Sequence, residues 1–204
     1  MAPKTRRTQV ERSTTTRLLL MRATVDCLYE VGYRGTSIRV VEQRSGVSRG
    51  ALLHHFASRS ELLIGAVQHI ARLRMEQMRL EAADVGANEG VEGLIDLMWR
   101  QFSGPLFYTS LELWNAARTD PQLERALLAE ERTLGSSIRQ IVQEMFGVQG
   151  AGPVFATALE LTWQFMRGAA VTRILKHDEA AQQQLVAEWR ALITPMFQAE
   201  STLP

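Results

Sequence analysis

Residues 46–50 read G-V-S-R-G, the G-x-S-x-G spacing with which hydrolases present a nucleophilic serine on a sharp turn. Such a serine attacks an ester or amide carbonyl, and the turn that exposes it follows a buried β-strand. Here the preceding residues 39–44, R-V-V-E-Q-R, are rich in charge and have a helical pattern. We therefore expect no hydrolase, and the serine needs another interpretation.

Other residue types that bind ligands do not form a set. His54 and His55 are adjacent and point apart on a helix, so they cannot chelate one metal, and His69 and His177 are isolated. The glycines of residues 147–152 lack the Lys and Ser/Thr that complete a phosphate-binding loop. The sequence predicts no enzyme, no catalytic residues, no metal site and no cofactor.

The same serine fits a pair of short helices joined by a tight turn, over residues 36–56. Thr36 or Ser37 can cap the first helix, Gly46 can end it with a positive φ, and Ser48 can cap the second. Apolar residues would bury the second helix against the first: Val47, Leu52 and Phe56. The opposite face would then point outward, with Arg49, Gly50, Leu53 and His54. A helix held in this way can enter the major groove of DNA.

Both helices need partners, and the flanking residues supply them. Residues 14–31 carry Leu18, Met21, Val25 and Leu28 at i, i+3/i+4 spacing, which predicts a preceding helix. After Phe56, residues 58–61 match a capping box and open a helix reaching about residue 82. This order of elements, with G-Y-R-G-T-S and H-H-F-A-S-R-S-E-L-L, resembles the amino-terminal domain of TetR-type transcriptional regulators over residues 14–66.

The resemblance implies a homodimeric, ligand-responsive repressor that binds a pseudo-palindromic operator and is released by a small molecule. We expect an all-α chain, with a helix-turn-helix DNA-binding domain (13–60) after a flexible basic arm (1–12). A helical ligand-binding and dimerisation domain follows (61–204). Two residues depart from the family pattern: Leu53 replaces a tyrosine that contacts the phosphate backbone, and Glu42 replaces a small alanine. A helical small-molecule-binding or scaffold protein whose head no longer reads DNA specifically is the alternative.

Charge supports a nucleic-acid partner. Residues 1–60 hold 11 Lys/Arg and 4 Asp/Glu, a net charge of +7, whereas the remainder holds 12 and 18, a net charge of −6. The basic arm either adds phosphate or minor-groove contacts or is a disordered tail. We predict phosphate contacts from Thr36, Ser37 and Arg59. Base edges would be approached by Ser48, Arg49, Gly50 and His54, with Arg49 pairing to a guanine.

Cysteine content favours a reducing compartment, because a single cysteine can form no intrachain disulfide. A 46% hydrophobic share with 22% charged residues is ordinary for a globular protein, and Cys27 is the only cysteine. We interpret Cys27 as a core residue rather than a redox sensor. With no stretch of 18 apolar residues and no signal-peptide pattern, the expected location is cytoplasmic, with no membrane partner.

The rest of the chain predicts further helices, about nine in total, separated by Gly and Pro. The last two, over 153–176 and 178–197, are apolar on more than one face. Two copies would form an isologous four-helix bundle, unless one subunit buries both faces itself. The predicted dimer residues are Val154, Ala158, Leu161, Phe165, Leu185, Trp189, Leu192, Ile193 and Met196.

Large apolar side chains between these regions could enclose the effector, although most could equally be core. Apolar walls with a few polar anchors are typical of a small-molecule site. The effector is a small molecule of unknown identity. The predicted ligand residues are Trp99, Phe102, Phe107, Leu111, Glu112, Trp114, Asn115, Arg118, Trp163 and Met166.

Overall fold

The computed structural model describes residues 9–85, 90–147, 152–176 and 178–199. Within these ranges the regular secondary structure is helical and includes no strand, which confirms the predicted all-α class and the count of nine helices. The helices are α1 (Gln9–Gly35), α2 (Ile38–Ser45), α3 (Arg49–His55), α4 (Arg59–Asp84), α5 (Gly90–Arg100), α6 (Pro105–Ala117), α7 (Pro121–Phe146), α8 (Pro153–Thr172) and α9 (Glu179–Gln198).

Helix ends follow the capping residues that the sequence offers. Ser58 Oγ accepts from Glu61 N at 3.1 Å, which confirms Ser58 as the cap of α4, while the Glu61 carboxylate reaches back one residue beyond the partner of a capping box and accepts from Ala57 N at 2.9 Å. Asp178 caps α9 by accepting from Ala181 N at 3.0 Å. The bonds from Glu61 N and Ala181 N each satisfy an amide that the first turn of a helix leaves without a partner.

The first helix begins earlier than predicted, and its helical path breaks at Gly32, directly after the predicted end at residue 31. It begins at Gln9, so residues 9–12 of the predicted flexible arm are helical, and residues 1–8 lie outside the described ranges. Near its end Gly32 has φ 69° and ψ −179°, a conformation that only glycine adopts readily, so the helical path breaks there before Gly35. His177 and most of the glycine loop 147–152 also lie outside the described ranges.

The described chain divides into two compact units. One contains the residues up to Arg72 together with Tyr108–Glu131, and the other contains Leu73–Phe107 and the residues from Arg132 onward. The first unit is therefore larger than the predicted domain 13–60, since it includes most of α6 and the start of α7. Helices α4, α6 and α7 each have residues in both units.

Each unit has its own apolar core. In the first, α1 packs on α2 and α2 on α3 around wholly buried side chains such as Leu20, Val41 and Leu52. Cys27 belongs to this core, where burial raises the pKa of its thiol. In the second, α5, α8 and α9 pack together. Phe155 lies between Phe146 and Phe197, with ring centroids 5.2 and 4.8 Å away.

Candidate nucleic-acid interface

The helix pair α2–α3 is held by local hydrogen bonds at each of its ends. Ser37, rather than Thr36, caps α2 by accepting from Val40 N at 3.3 Å. Gly46 ends α2 with φ 67°, and its N–H donates to Glu42 O at 3.1 Å. Ser48 caps α3 by accepting from Ala51 N at 3.4 Å. Ser48 thus follows a helix and a turn, not the β-strand that a nucleophile elbow requires.

Glu42 provides a second cap for α3. Its Oε1 accepts from Arg49 N at 3.1 Å, across the turn that joins the two helices. A carboxylate at the amino end of a helix also interacts favourably with the helix dipole. The departure from the family's small residue at this position therefore has a structural role, which is to tie α2 to the first residue of α3.

The outward face of α3 is the one that the sequence predicts. Arg49, Gly50, Leu53 and His54 are exposed, while Leu52 on the opposite face is wholly buried. A Cβ atom added at Gly50 would meet no atom of the protein within 4 Å. Packing inside the protein therefore gives no reason for a glycine there, whereas close approach of another molecule would.

Two predicted phosphate contacts have other roles here. Thr36 is wholly buried and its hydroxyl donates to Gly32 O at 2.8 Å, so the prediction that its side chain contacts phosphate is wrong. Arg59 donates from Nε to Thr36 O at 2.7 Å and from Nη2 to Tyr33 O. Its guanidinium lies 4.3 Å from the centroid of the Tyr33 ring. A phosphate contact of Arg59 stays a prediction, because two of its guanidinium nitrogens already donate to backbone carbonyls of the protein.

One of the arginines on α2 forms ion pairs within the first unit, whereas others near the turn are exposed. Arg44 bonds to the Glu30 carboxylate, with Nη1 2.6 Å from Oε2, and lies 3.7 Å from Asp26, which fastens α2 to α1. Arg39 on α2 is exposed, as is Arg49. Sequence reasoning did not single out Arg39, although its position among the basic residues before the turn could have indicated it.

The two histidines at the end of α3 are His54 and His55. Their ring centroids are 5.5 Å apart in an edge-to-face arrangement. Burial, followed by electrostatic interaction with His54 and Arg17, lowers the pKa of His55 below its ordinary value. Across the described ranges, no group of three or more His, Cys, Asp or Glu residues could hold a metal ion.

Helices α8 and α9 carry an exposed apolar strip with a seven-residue spacing. Val154 and Leu161 on α8 are 36% and 45% exposed, and Leu185 and Leu192 on α9 are 40% and 74% exposed. The Phe165 and Trp189 rings stack at 4.2 Å, and both residues, like Met196, are half-buried.

Two members of the predicted dimer set lie elsewhere. Ala158 is wholly buried and Ile193 is 3% exposed, so both belong to the core of their unit, and their assignment to a subunit interface is wrong. The Trp189 indole donates to Thr162 Oγ1 at 3.3 Å and Gln182 Nε2 donates to Ala169 O at 2.7 Å. These bonds fix α9 against α8 independently of any second copy.

The predicted effector residues divide between the two units. In the second unit Phe102, Phe107 and Met166 are wholly buried, and Phe102 lies 5.3 Å from Phe107 and 4.7 Å from Trp163, centroid to centroid. Their burial fits the core interpretation. Trp99 is half-buried in the same unit.

The polar residues predicted to anchor an effector lie in the first unit, where Leu111 and Trp114 are half-buried. Glu112, Asn115 and Arg118 are exposed and line an open groove of about 450 Å³ with residues 31–34. Glu112 accepts a hydrogen bond from Tyr33 N there. The prediction that these three residues anchor a ligand inside an apolar cavity is not supported by this placement.

None of the described helices combines the length and the apolar character that a membrane-spanning segment needs.

Known proteins with similar sequences point to one family. Residues 20–66 match the family described as bacterial regulatory proteins of the tetR family, and residues 87–200 match the tetracyclin repressor-like C-terminal domain. The HTH-type transcriptional regulator CymR of Pseudomonas putida is 33% identical to this chain, covering 88% of this chain and 89% of CymR.

Solved structures share the fold. A transcriptional regulator from Pseudomonas aeruginosa PAO1 superposes with a TM-score of 0.70 at 18% identity, over 93% of this chain and 96% of that one. The multidrug binding protein EbrR, solved with ethidium, superposes with a TM-score of 0.64 at 16% identity, over 89% and 97%. From both domain matches and the CymR likeness, this chain belongs to the TetR family and is a DNA-binding transcriptional regulator.

Proposed function

We propose that this protein is a homodimeric repressor that binds a pseudo-palindromic operator and is released by a small molecule. The observation that carries the proposal is the outward face of α3, capped by Ser48 and Glu42 and anchored by the buried Leu52. A short helix held at its start and along one side can enter a groove without losing its shape.

The operator contacts that we propose come from the turn and from α3. Arg49 is exposed and can form the bidentate pair with a guanine that is the commonest specific contact in DNA complexes. Gly50 lets the backbone approach the groove. Further contacts would come from Ser37, Ser48, Leu53 and His54.

A mobility-shift experiment with DNA from the protein's own upstream region tests this interpretation. Arg49→Ala should weaken the specific complex by about fivefold to 150-fold, since a bidentate base contact contributes roughly 1–3 kcal/mol. Arg132→Ala removes an exposed positive charge from α7 and serves as the matched control. A wild-type protein without sequence preference would instead favour the helical small-molecule-binding or scaffold protein.

The homodimer is proposed from the strip on α8 and α9. A seven-residue repeat of exposed apolar side chains on two neighbouring helices is typical of a helical bundle seam. A dimer that reads both halves of a pseudo-palindrome needs its two α3 helices on successive turns of DNA, about 34–36 Å apart. Leu192→Glu should give a monomer in analytical ultracentrifugation, whereas Leu80→Glu, at a 66% exposed site on α4, should not. A monomeric wild-type protein would refute the pairing.

The effector is proposed to bind among the aromatic residues of the second unit, near Trp99 and Trp163. EbrR, which shares the fold, was solved with ethidium, an aromatic cation, and aromatic walls suit ligands of that kind. Native mass spectrometry of protein purified from its own host should detect a co-bound small molecule. That molecule should quench tryptophan fluorescence and weaken the DNA complex, and a ligand without effect on the complex would oppose the proposed release.

A further inference from the structure

Tyr33, just after the break at Gly32, is the meeting point of contacts from three other parts of the first unit. Its N–H donates to Glu112 Oε2 of α6 at 2.9 Å, and its hydroxyl donates to Asp120 Oδ2 at 3.2 Å. Its carbonyl accepts from Arg59 at the start of α4, whose guanidinium also covers the ring. One residue therefore joins the end of α1 to α4, to α6 and to the start of α7.

The contact with Glu112 depends on the break in α1. Because Gly32 has φ 69° and ψ −179°, the backbone leaves the helical path, and the N–H of Tyr33 becomes available to a partner outside the helix. A Cβ atom at Gly32 would lie 3.0 Å from Glu112 Oε2. The carboxylate thus occupies space that only a glycine leaves open.

A second set of bonds leads from Tyr33 to α2. Arg59, which bonds to the Tyr33 carbonyl, also donates to Thr36 O at 2.7 Å, and Thr36 donates back to Gly32 O. The next residue, Ser37, caps α2. These bonds couple the position of Tyr33 to that of Thr36, the residue before the cap of α2. Because α2 packs on α3, the position of Tyr33 also affects α3.

On the other side, Asp120 holds the start of α7. While Oδ2 accepts from Tyr33, Oδ1 accepts from Gln122 N and Leu123 N, both at 3.1 Å. Ser60 of α4 adds a hydrogen bond of 3.0 Å to the Gln122 side chain. The carboxylate that caps α7 is thus the same group that fixes the Tyr33 hydroxyl.

We propose that Tyr33, held by Glu112 and Asp120, is a positioning residue that sets the orientation of α2–α3 and thereby the operator affinity. This inference rests on the proposed reading of an operator by α3. The α2–α3 pair packs with α1 and the start of α4 in an apolar core that includes Val41, Leu52 and Leu62, so it does not need these polar contacts in order to fold. The contacts of Tyr33 with Glu112 and Asp120 instead fix the orientation of α2–α3 relative to those two residues.

The test uses full-length protein and a DNA duplex that the wild-type protein selects from a random library. Tyr33→Phe and Glu112→Ala should each weaken binding to that duplex by about threefold to tenfold, the effect of losing one such hydrogen bond. Asp120→Asn keeps both the cap and a partner for the tyrosine, so its affinity should stay within about twofold. Tyr29→Phe, at a 50% exposed tyrosine of the same helix, is the matched control and should bind like wild type.

Amide hydrogen exchange without DNA gives a second readout, which does not require operator binding. Exchange in residues 38–55 should be faster in Tyr33→Phe and Glu112→Ala than in wild type, and unchanged in Tyr29→Phe. Glu112→Gln keeps an acceptor for Tyr33 N and should restore both affinity and slow exchange, which a general loss of stability would not explain.

One result would overturn the inference: wild-type affinity and wild-type exchange in folded Tyr33→Phe and Glu112→Ala, whether or not their melting temperature falls. A wild-type protein that selects no DNA sequence would refute the proposed operator reading, and exchange in residues 38–55 would then still decide whether Tyr33 positions α2–α3.

Discussion

Gly50→Ala should make the protein more stable and at the same time a weaker DNA binder. Gly50 is the second residue of α3, it is exposed, and a Cβ there meets no protein atom within 4 Å. Because alanine loses less backbone entropy in a helix than glycine, unfolding should cost about 0.5–1 kcal/mol more. The added methyl group would point toward the proposed groove and separate α3 from the base edges.

Urea unfolding and fluorescence anisotropy with the selected duplex measure the two effects on the same samples. Gly135→Ala in α7 is the matched control, because a Cβ there makes only an ordinary contact of 3.6 Å with the end of the Arg139 side chain. It should raise stability similarly and leave DNA binding unchanged. If Gly50→Ala bound the duplex as wild type does, Gly50 would not lie at the interface. A loss of stability would contradict the reasoning about backbone entropy.

Three further predictions concern other residues of the first unit. Glu42→Ala should destabilise the protein by about 0.3–1 kcal/mol and accelerate exchange of the Arg49 amide, with Glu42→Gln intermediate; equal exchange rates would contradict the cap. Gly32→Ala should cost about 1–3 kcal/mol in urea unfolding, because alanine at φ 69°, ψ −179° is strained; a loss below about 0.5 kcal/mol would show that the break relaxes. Burial first, and then neighbouring arginines including Arg72, lower the pKa of His69, so the folded protein binds fewer protons than the unfolded chain. Stability should therefore fall as pH drops below about 6.5, and His69→Gln should reduce that slope; an unchanged slope would exclude this histidine as the cause.

Local signals explain why much of the fold could be predicted. The caps at Ser37, Ser48 and Ser58 each bond to an amide within three residues, so the sequence alone contains both partners. The buried side of α3 followed from Leu52 and Phe56, four residues apart. Where two candidates were adjacent, as with Thr36 and Ser37, the choice depended on burial that spacing cannot reveal.

Contacts between distant residues account for what the sequence did not predict. Tyr33 and Glu112 are 79 positions apart, and no periodicity relates them. Their pairing exists because α6 and the end of α1 belong to one unit. The same limit applies to Ala158 and Ile193, because α8 and α9 are apolar on several faces and only packing decides which face is covered.

Because α3 is short, contacts between residues far apart in the sequence affect the orientation of its outward face. A helix of seven residues is too short to be stable by its own hydrogen bonds, so its shape and direction come from what holds it. Leu52 fixes its buried side and Glu42 fixes its first amide, but both act through α2 or the core beneath it. The direction of α2 in turn depends on the residues just before it, where Arg59 bonds to both Tyr33 and Thr36. Substitutions in α6 that move Glu112 should therefore alter DNA binding without touching any residue that faces the groove.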